Sequence, residues 1–110
     1  MKINDETFYY LADYTEKAIV TGRAPKRDSV FGILTRFLDS YGIFVPFLDK
    51  IFINPIGTLE QEAWVYSHEV AHWAMIQNGI KSSHADEEDV CNDIAFIILK
   101  RQGADLYKLV

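Results

Sequence analysis

Residues 58 to 79 read TLEQEAWVYSHEVAHWAMIQNG, and the fold turns on this stretch. Thr58 is a good helix N-cap, and Gln61 stands at the capping-box position three residues later. Gly79 is a helix-ending residue. The pattern predicts one long helix running to about Asn78. Inside it lies His68-Glu69-Val70-Ala71-His72. Four residues make a little more than one helical turn, so both imidazoles leave the same face. Their ring nitrogens can then reach one Zn²⁺ at about 2.0–2.1 Å. Glu69 is rotated by about 100° from His68, which makes it a poor third ligand. It is placed instead to reach the attacking water, the general-base position of HExxH enzymes. The chain holds three histidines. By composition alone, two of them fall at this spacing around a glutamate with a chance of about 1% or less, which favours a metal site over a pair of core or surface histidines.

Two histidines leave a catalytic zinc site incomplete, because such a site uses three protein ligands and one open position. The metzincin continuation is absent: Met75 and Asn78 stand where its glycine and third histidine belong. The remaining donors nearby are His84, Asp86, Glu87, Glu88, Asp89 and Asp93. They lie at or near the start of a last helix expected from about Asp86 to Arg101. The loop from Gly79 to Ser83 lets that helix fold back beside the HEVAH helix. Acids in its first turn suit the positive end of the helix dipole, which accounts for most of them. Cys91, Ile94, Ala95, Ile98 and Leu99 form an apolar stripe at helical spacing, and Glu88 sits one turn before Cys91 on it. A carboxylate on a core-facing stripe is costly without a positive partner, and a metal ion supplies one. Glu88 is therefore the favoured third ligand, with Glu87 and His84 as alternatives.

Upstream, Asn4 or Asp5 can cap a first helix carrying Phe8, Leu11, Ala12, Ala18 and Ile19 and stopping at Gly22. Arg23 to Asp28, with Pro25, reads as a loop that holds the basic cluster Arg23, Lys26 and Arg27, a solvated turn. A second helix is expected after Asp28 or Ser29, with Phe31, Leu34, Phe37, Leu38 and Tyr41 at helical spacing and Gly42 at its end. Ile43 to Asn54 reads as two short strands around a turn near Asp49, with Pro46 confining its strand to a sheet edge. The elements add up to an α+β chain, mostly helical, with a small antiparallel sheet beside the HExxH helix.

The 110 residues are enough for one domain, 1–110, and no more. A charge of −5 argues against a sequence-independent nucleic-acid binder, which needs a basic face. The longest apolar runs are a handful of residues, too short to span a membrane. Cys91 is the one cysteine, so no internal disulfide forms. With no signal at the N-terminus, a cytoplasmic location is expected. The oligomeric state is not readable from the sequence.

At this point the chain resembles the ImmA/IrrE-like metallopeptidases of phages and mobile elements. Their pattern is a strand, then HExxH in a helix, then a helix reading E-x-x-A-N-x-F-A-x-x-L-L. Here the strand is Ile51-Phe52-Ile53-Asn54, the motif is His68, Glu69 and His72, and the later run is residues 88 to 99, EDVCNDIAFIIL. Cys91 stands at the alanine position, Asn92 matches, and Ile94 replaces the phenylalanine. The likeness covers about residues 43 to 100. It implies a minimal zincin-like domain, Zn²⁺ held by His68, His72 and Glu88, and hydrolysis of a protein or peptide substrate with Glu69 as general base. A weaker likeness, to SprT-type zinc proteases, would make His84 the third ligand. His84 or Tyr66 could assist at the oxyanion, and an edge strand at Ile51 to Asn54 could hold an extended substrate by strand addition. The rival from another class is a catalytically silent zincin-like module that docks on a phage or host protein. A purely structural zinc would leave Glu69 without a role.

Overall fold

The computed structural model describes residues 3–28, 41–54, 57–103 and 105. In chain order they form helix α1 (Asp5–Val20), strand β1 (Lys26–Asp28), strand β2 (Gly42–Val45), a 3-10 turn (Pro46–Leu48), strand β3 (Lys50–Ile53), helix α2 (Leu59–Gln77) and helix α3 (His84–Gln102). The mostly helical α+β architecture expected from the sequence is the one observed. The helix expected around Phe31, Leu34, Phe37 and Leu38 lies outside the described residues. Gly42, expected to end it, opens β2 instead. Among the described residues no helix is long and apolar enough to cross a membrane.

Each helix starts where a side chain can take up an orphan backbone N–H. Asn4 Oδ1 accepts from the Thr7 amide at 2.8 Å to begin α1. Thr58 and Gln61 form the full reciprocal capping box of α2, at 3.2 and 2.9 Å. Ser83 Oγ accepts from the Asp86 amide at 3.2 Å, so α3 starts two residues earlier than expected and His84 is its first residue. Serine followed three residues later by an acid is itself an N-terminal signature, and it outweighs the acid cluster as the marker of the helix start.

The sheet has the order β1-β3-β2. β2 and β3 pair antiparallel, as expected, with Phe44 opposite Ile51, and Asp49 turns the chain between them in the left-handed conformation. β1 joins β3 in parallel, so the sheet is mixed and not purely antiparallel. The segment expected as a loop is thus a strand from Lys26 on. Its three residues, Lys, Arg and Asp, carry no apolar pattern; the pairing is tertiary. Ala24 and Pro25 are buried, and the Pro25 carbonyl accepts the Tyr66 hydroxyl at 2.7 Å, which pins the chain beside β3. β3 is consequently the central strand, with Ile51, Phe52 and Ile53 all buried. The expected free edge at Ile51 to Asn54 does not exist. The edge nearest the motif helix is β2, which ends where Pro46 begins the 3-10 turn.

α2 is the central element and touches α1, α3, β2 and β3. Tyr66, Val70 and Met75 on it meet Leu11 and Ile19 of α1, Ile51 and Ile53 of β3, and Cys91, Ile94 and Ile98 of α3 in one buried cluster. Ala63, Ala71 and Ala74 keep the helix thin enough for neighbours on several sides. α3 folds back along α2 after the short connection at residues 78–83, which sets its first turns beside the HEVAH segment.

Candidate metal centre

His68 and His72 point from one face of α2 toward the start of α3. Their Nε2 atoms are 3.1 Å apart. Glu88 reaches both: Oε2 lies 3.3 Å from His68 Nε2, and Oε1 lies 2.9 Å from His72 Nε2. One ligand atom from each of the three residues lies within 4.8 Å of the others. Two donors on one tetrahedral zinc stand about 3.3 Å apart, given bonds of about 2.0–2.1 Å. The spacing of this donor set fits such an ion. Of the three sequence alternatives, Glu88 is the acid brought to both Nε2 atoms. His84 is exposed at the first position of α3 and does not line the cleft.

The protonation states sharpen the fit. A neutral imidazole has one N–H and one lone pair. His72 Nδ1 lies 2.9 Å from Glu87 Oε1 and its Nε2 lies 2.9 Å from Glu88 Oε1, so both ring nitrogens face a carboxylate. With a metal on Nε2 the ring's one proton would sit on Nδ1, where Glu87 accepts it, and the Nε2 lone pair would be the ligand. That lone pair then faces the carboxylate of Glu88 and the ring of His68. Contacts of lone pair on lone pair are repulsive, and a cation or a proton between them removes the conflict. Burial holds the doubly protonated form of His68 down, and the charge of His72 adds to this, so its ring is neutral and carries a single N–H. His68 is further fixed by the Trp64 ring stacked on it, at 5.3 Å between centroids and 22° between planes. Its Nδ1 is buried without a hydrogen-bond partner.

Glu69 lies beside the cluster and outside the donor triangle. Its Oε2 accepts from the Phe44 amide of β2 at 3.0 Å, and its Oε1 stands 4.0 Å from His68 Nε2. One oxygen is therefore anchored to the sheet and the other turned toward the donors. Burial pushes the carboxyl up to about 7, against the smaller opposing pulls of His72 and the Phe44 amide. A carboxylate poised near neutrality is suited to proton transfer.

The cluster opens into a cleft of about 520 Å³, with Tyr41, Gly42 and Phe44 on its β2 side, Trp64 and Val65 on α2, and Asn92 on α3. Tyr66 does not reach it. It is fully buried and its one O–H donates to the Pro25 carbonyl, so it offers nothing to an oxyanion. His84 is likewise absent from the cleft, which leaves the suggested oxyanion roles of both residues without geometric support. Two contributors escaped the sequence reading, and Glu87 entered it only as an alternative ligand. Trp64 was findable, since it lies four residues before His68 and so on the same face. The Phe44 contribution is a backbone amide, which no side chain announces. Glu87 and Glu88 are adjacent, and spacing alone does not tell which nitrogen each one meets. Comparison with family models, curated proteins and solved structures gives no match, so the placement of these side chains carries the functional reading.

Proposed function

We propose that this protein is a zinc-dependent peptidase of the HExxH type, with His68, His72 and Glu88 as metal ligands and Glu69 as general base. The observation that carries the reading is the convergence of three donors on one point with a buried, anchored carboxylate beside them. The resemblance to ImmA/IrrE-like metallopeptidases belongs to the same proposal and assigns the same four residues. A zinc ion at this site would polarise a substrate carbonyl and lower the pKa of an attacking water. Glu69 would take a proton from the attacking water at Oε1 and hand it to the leaving amine, while the Phe44 amide keeps Oε2 in place. The cleft between β2 and α3 gives a peptide access to this carboxylate.

The test has two linked parts. Protein purified without added metal is expected to carry about one zinc per chain, measured by elemental analysis. Glu69→Gln is expected to retain that zinc and lose hydrolysis of an unstructured protein substrate by at least a hundredfold, the scale of general-base catalysis. Absence of zinc, with no uptake on titration, sinks the reading. A Glu69→Gln variant that loses zinc as fully as His72→Ala refutes the role given to Glu69. Metal bound in the wild type with no hydrolysis of any substrate is the result expected of a silent zincin-like binding module.

A further inference from the structure

We propose that Glu87 is a positioning residue for His72, and that the two adjacent glutamates of α3 address opposite sides of one imidazole. The inference rests on the zinc reading above for its affinity arm. Successive helix residues diverge by about 100°, so side chains at 87 and 88 straddle whatever enters between them. What enters is the His72 ring. Glu88 Oε1 meets its Nε2 at 2.9 Å, and Glu87 Oε1 meets its Nδ1 at 2.9 Å.

The chemistry follows from the inventory of the ring. Glu87 at Nδ1 and Glu88 at Nε2 compete for the ring's one proton; Glu87 draws it to Nδ1, which is the tautomer that leaves Nε2 free as a metal ligand facing His68 and Glu88. A carboxylate behind a ligating histidine also raises the basicity of the ligand nitrogen and stops the ring from turning. The Glu87 side chain is 28% exposed and that of His72 17%, so the contact is sheltered from water on both sides. His68 has no carboxylate behind it: its Nδ1 is buried without a hydrogen-bond partner, and Trp64 stacks on the ring while the Asn92 and Glu88 side chains meet it. Orientation by a carboxylate is thus concentrated on His72. A glutamate that merely served the helix dipole would have no reason to be directed at this nitrogen.

Zinc affinity is measured on the full chain by competition with a chromophoric chelator, for the wild type and for Glu87→Ala, Glu87→Gln and Glu88→Ala. The tautomer of His72 is read in parallel, in metal-free protein in alkaline buffer, from long-range ¹H–¹⁵N correlations. Glu87→Ala is expected to weaken zinc binding by about 10- to 100-fold. Glu87→Gln, whose amide oxygen still accepts Nδ1–H, is expected to recover most of that loss. Glu88→Ala is expected to lose more than either. Relative to the wild type, Glu87→Ala is expected to shift the tautomer balance of His72 from Nδ1–H toward Nε2–H. Unchanged zinc affinity in Glu87→Ala overturns the proposal, and so does an unchanged tautomer. A loss as large as that of Glu88→Ala, without rescue by glutamine, makes Glu87 a ligand and also overturns it. If the wild type takes up no zinc, the peptidase reading falls, and the tautomer alone decides whether Glu87 orients the ring.

Discussion

Cys91 and Glu88 lie three residues apart on one stripe of α3 and meet opposite fates. Glu88 faces the cleft and His68 and His72. Cys91, one turn on, is fully buried with its Sγ 3.8 Å from Met75 Sδ. Burial pushes its thiol well above the usual range, and the charges of Glu87 and Glu88 add to that. Because the thiolate is the reactive form, Cys91 is expected to stay unmodified by iodoacetamide at neutral pH in the native protein and to react fully in denaturant. Mass spectrometry of the two samples checks this, and labelling of the native protein at the rate of a free thiol contradicts it. At this scale the sequence was informative where residue type and helical period act together. Two histidines four apart must share a face, and a carboxylate on an apolar stripe needs a reason. The stripe favoured Glu88 over Glu87, but nothing in the sequence assigned Glu87 its place at His72 Nδ1, and a backbone amide such as that of Phe44 leaves no mark there at all.

Gly42 governs how closely β2 approaches α2. A Cβ added there would lie 2.5 Å from Val65 Cγ1, 3.3 Å from the Phe52 carbonyl oxygen and 3.6 Å from Glu69 Cγ. Gly42→Ala therefore overpacks the junction on which the Phe44–Glu69 bond depends. A loss of roughly 1–3 kcal/mol in urea unfolding is expected, the usual range for an added group in a packed site. Val65→Ala removes the clashing methyl, so the double variant is expected to be more stable than Gly42→Ala alone. A single variant as stable as the wild type contradicts the packing argument. The elements themselves were legible in proportion to their local signals. α1 and α2 have side-chain caps and apolar periods, and both begin within a residue of the expected place. β1 has only Lys26, Arg27 and Asp28, and it exists because Tyr66 and β3 hold it.

On the scale of the whole molecule, the donor set joins two helices that also meet through apolar packing and the His72–Glu87 contact. His68 and His72 belong to α2 and Glu88 to α3. On the zinc reading, metal binds the folded chain and not the unfolded one, so its affinity becomes folding stability. At a free concentration 100 times the Kd this amounts to about 2.7 kcal/mol. For a domain of this size the shift in Tm is on the order of 10 °C. Thermal unfolding with zinc and after exhaustive chelation is expected to differ by that amount. Coincident curves would mean that no metal bridges α2 and α3. The mixed sheet belongs to this scale as well: which strand is central depends on contacts between distant parts of the chain, and a reading of local runs made edge strands of both β2 and β3, whereas among the described residues the edges are β1 and β2.

The two outer strands also bear on how copies of the chain behave toward one another. A bare strand edge is a template for strand-to-strand aggregation, and proteins blunt it with charge, proline or brevity. β1 is three residues long and wholly charged. β2 is four residues long and stops at Pro46, and the Phe44 amide on it is already held by Glu69. The carboxylate proposed for proton transfer thus also occupies a donor that an intruding strand would need, so resistance to strand pairing would rest on the same side chain.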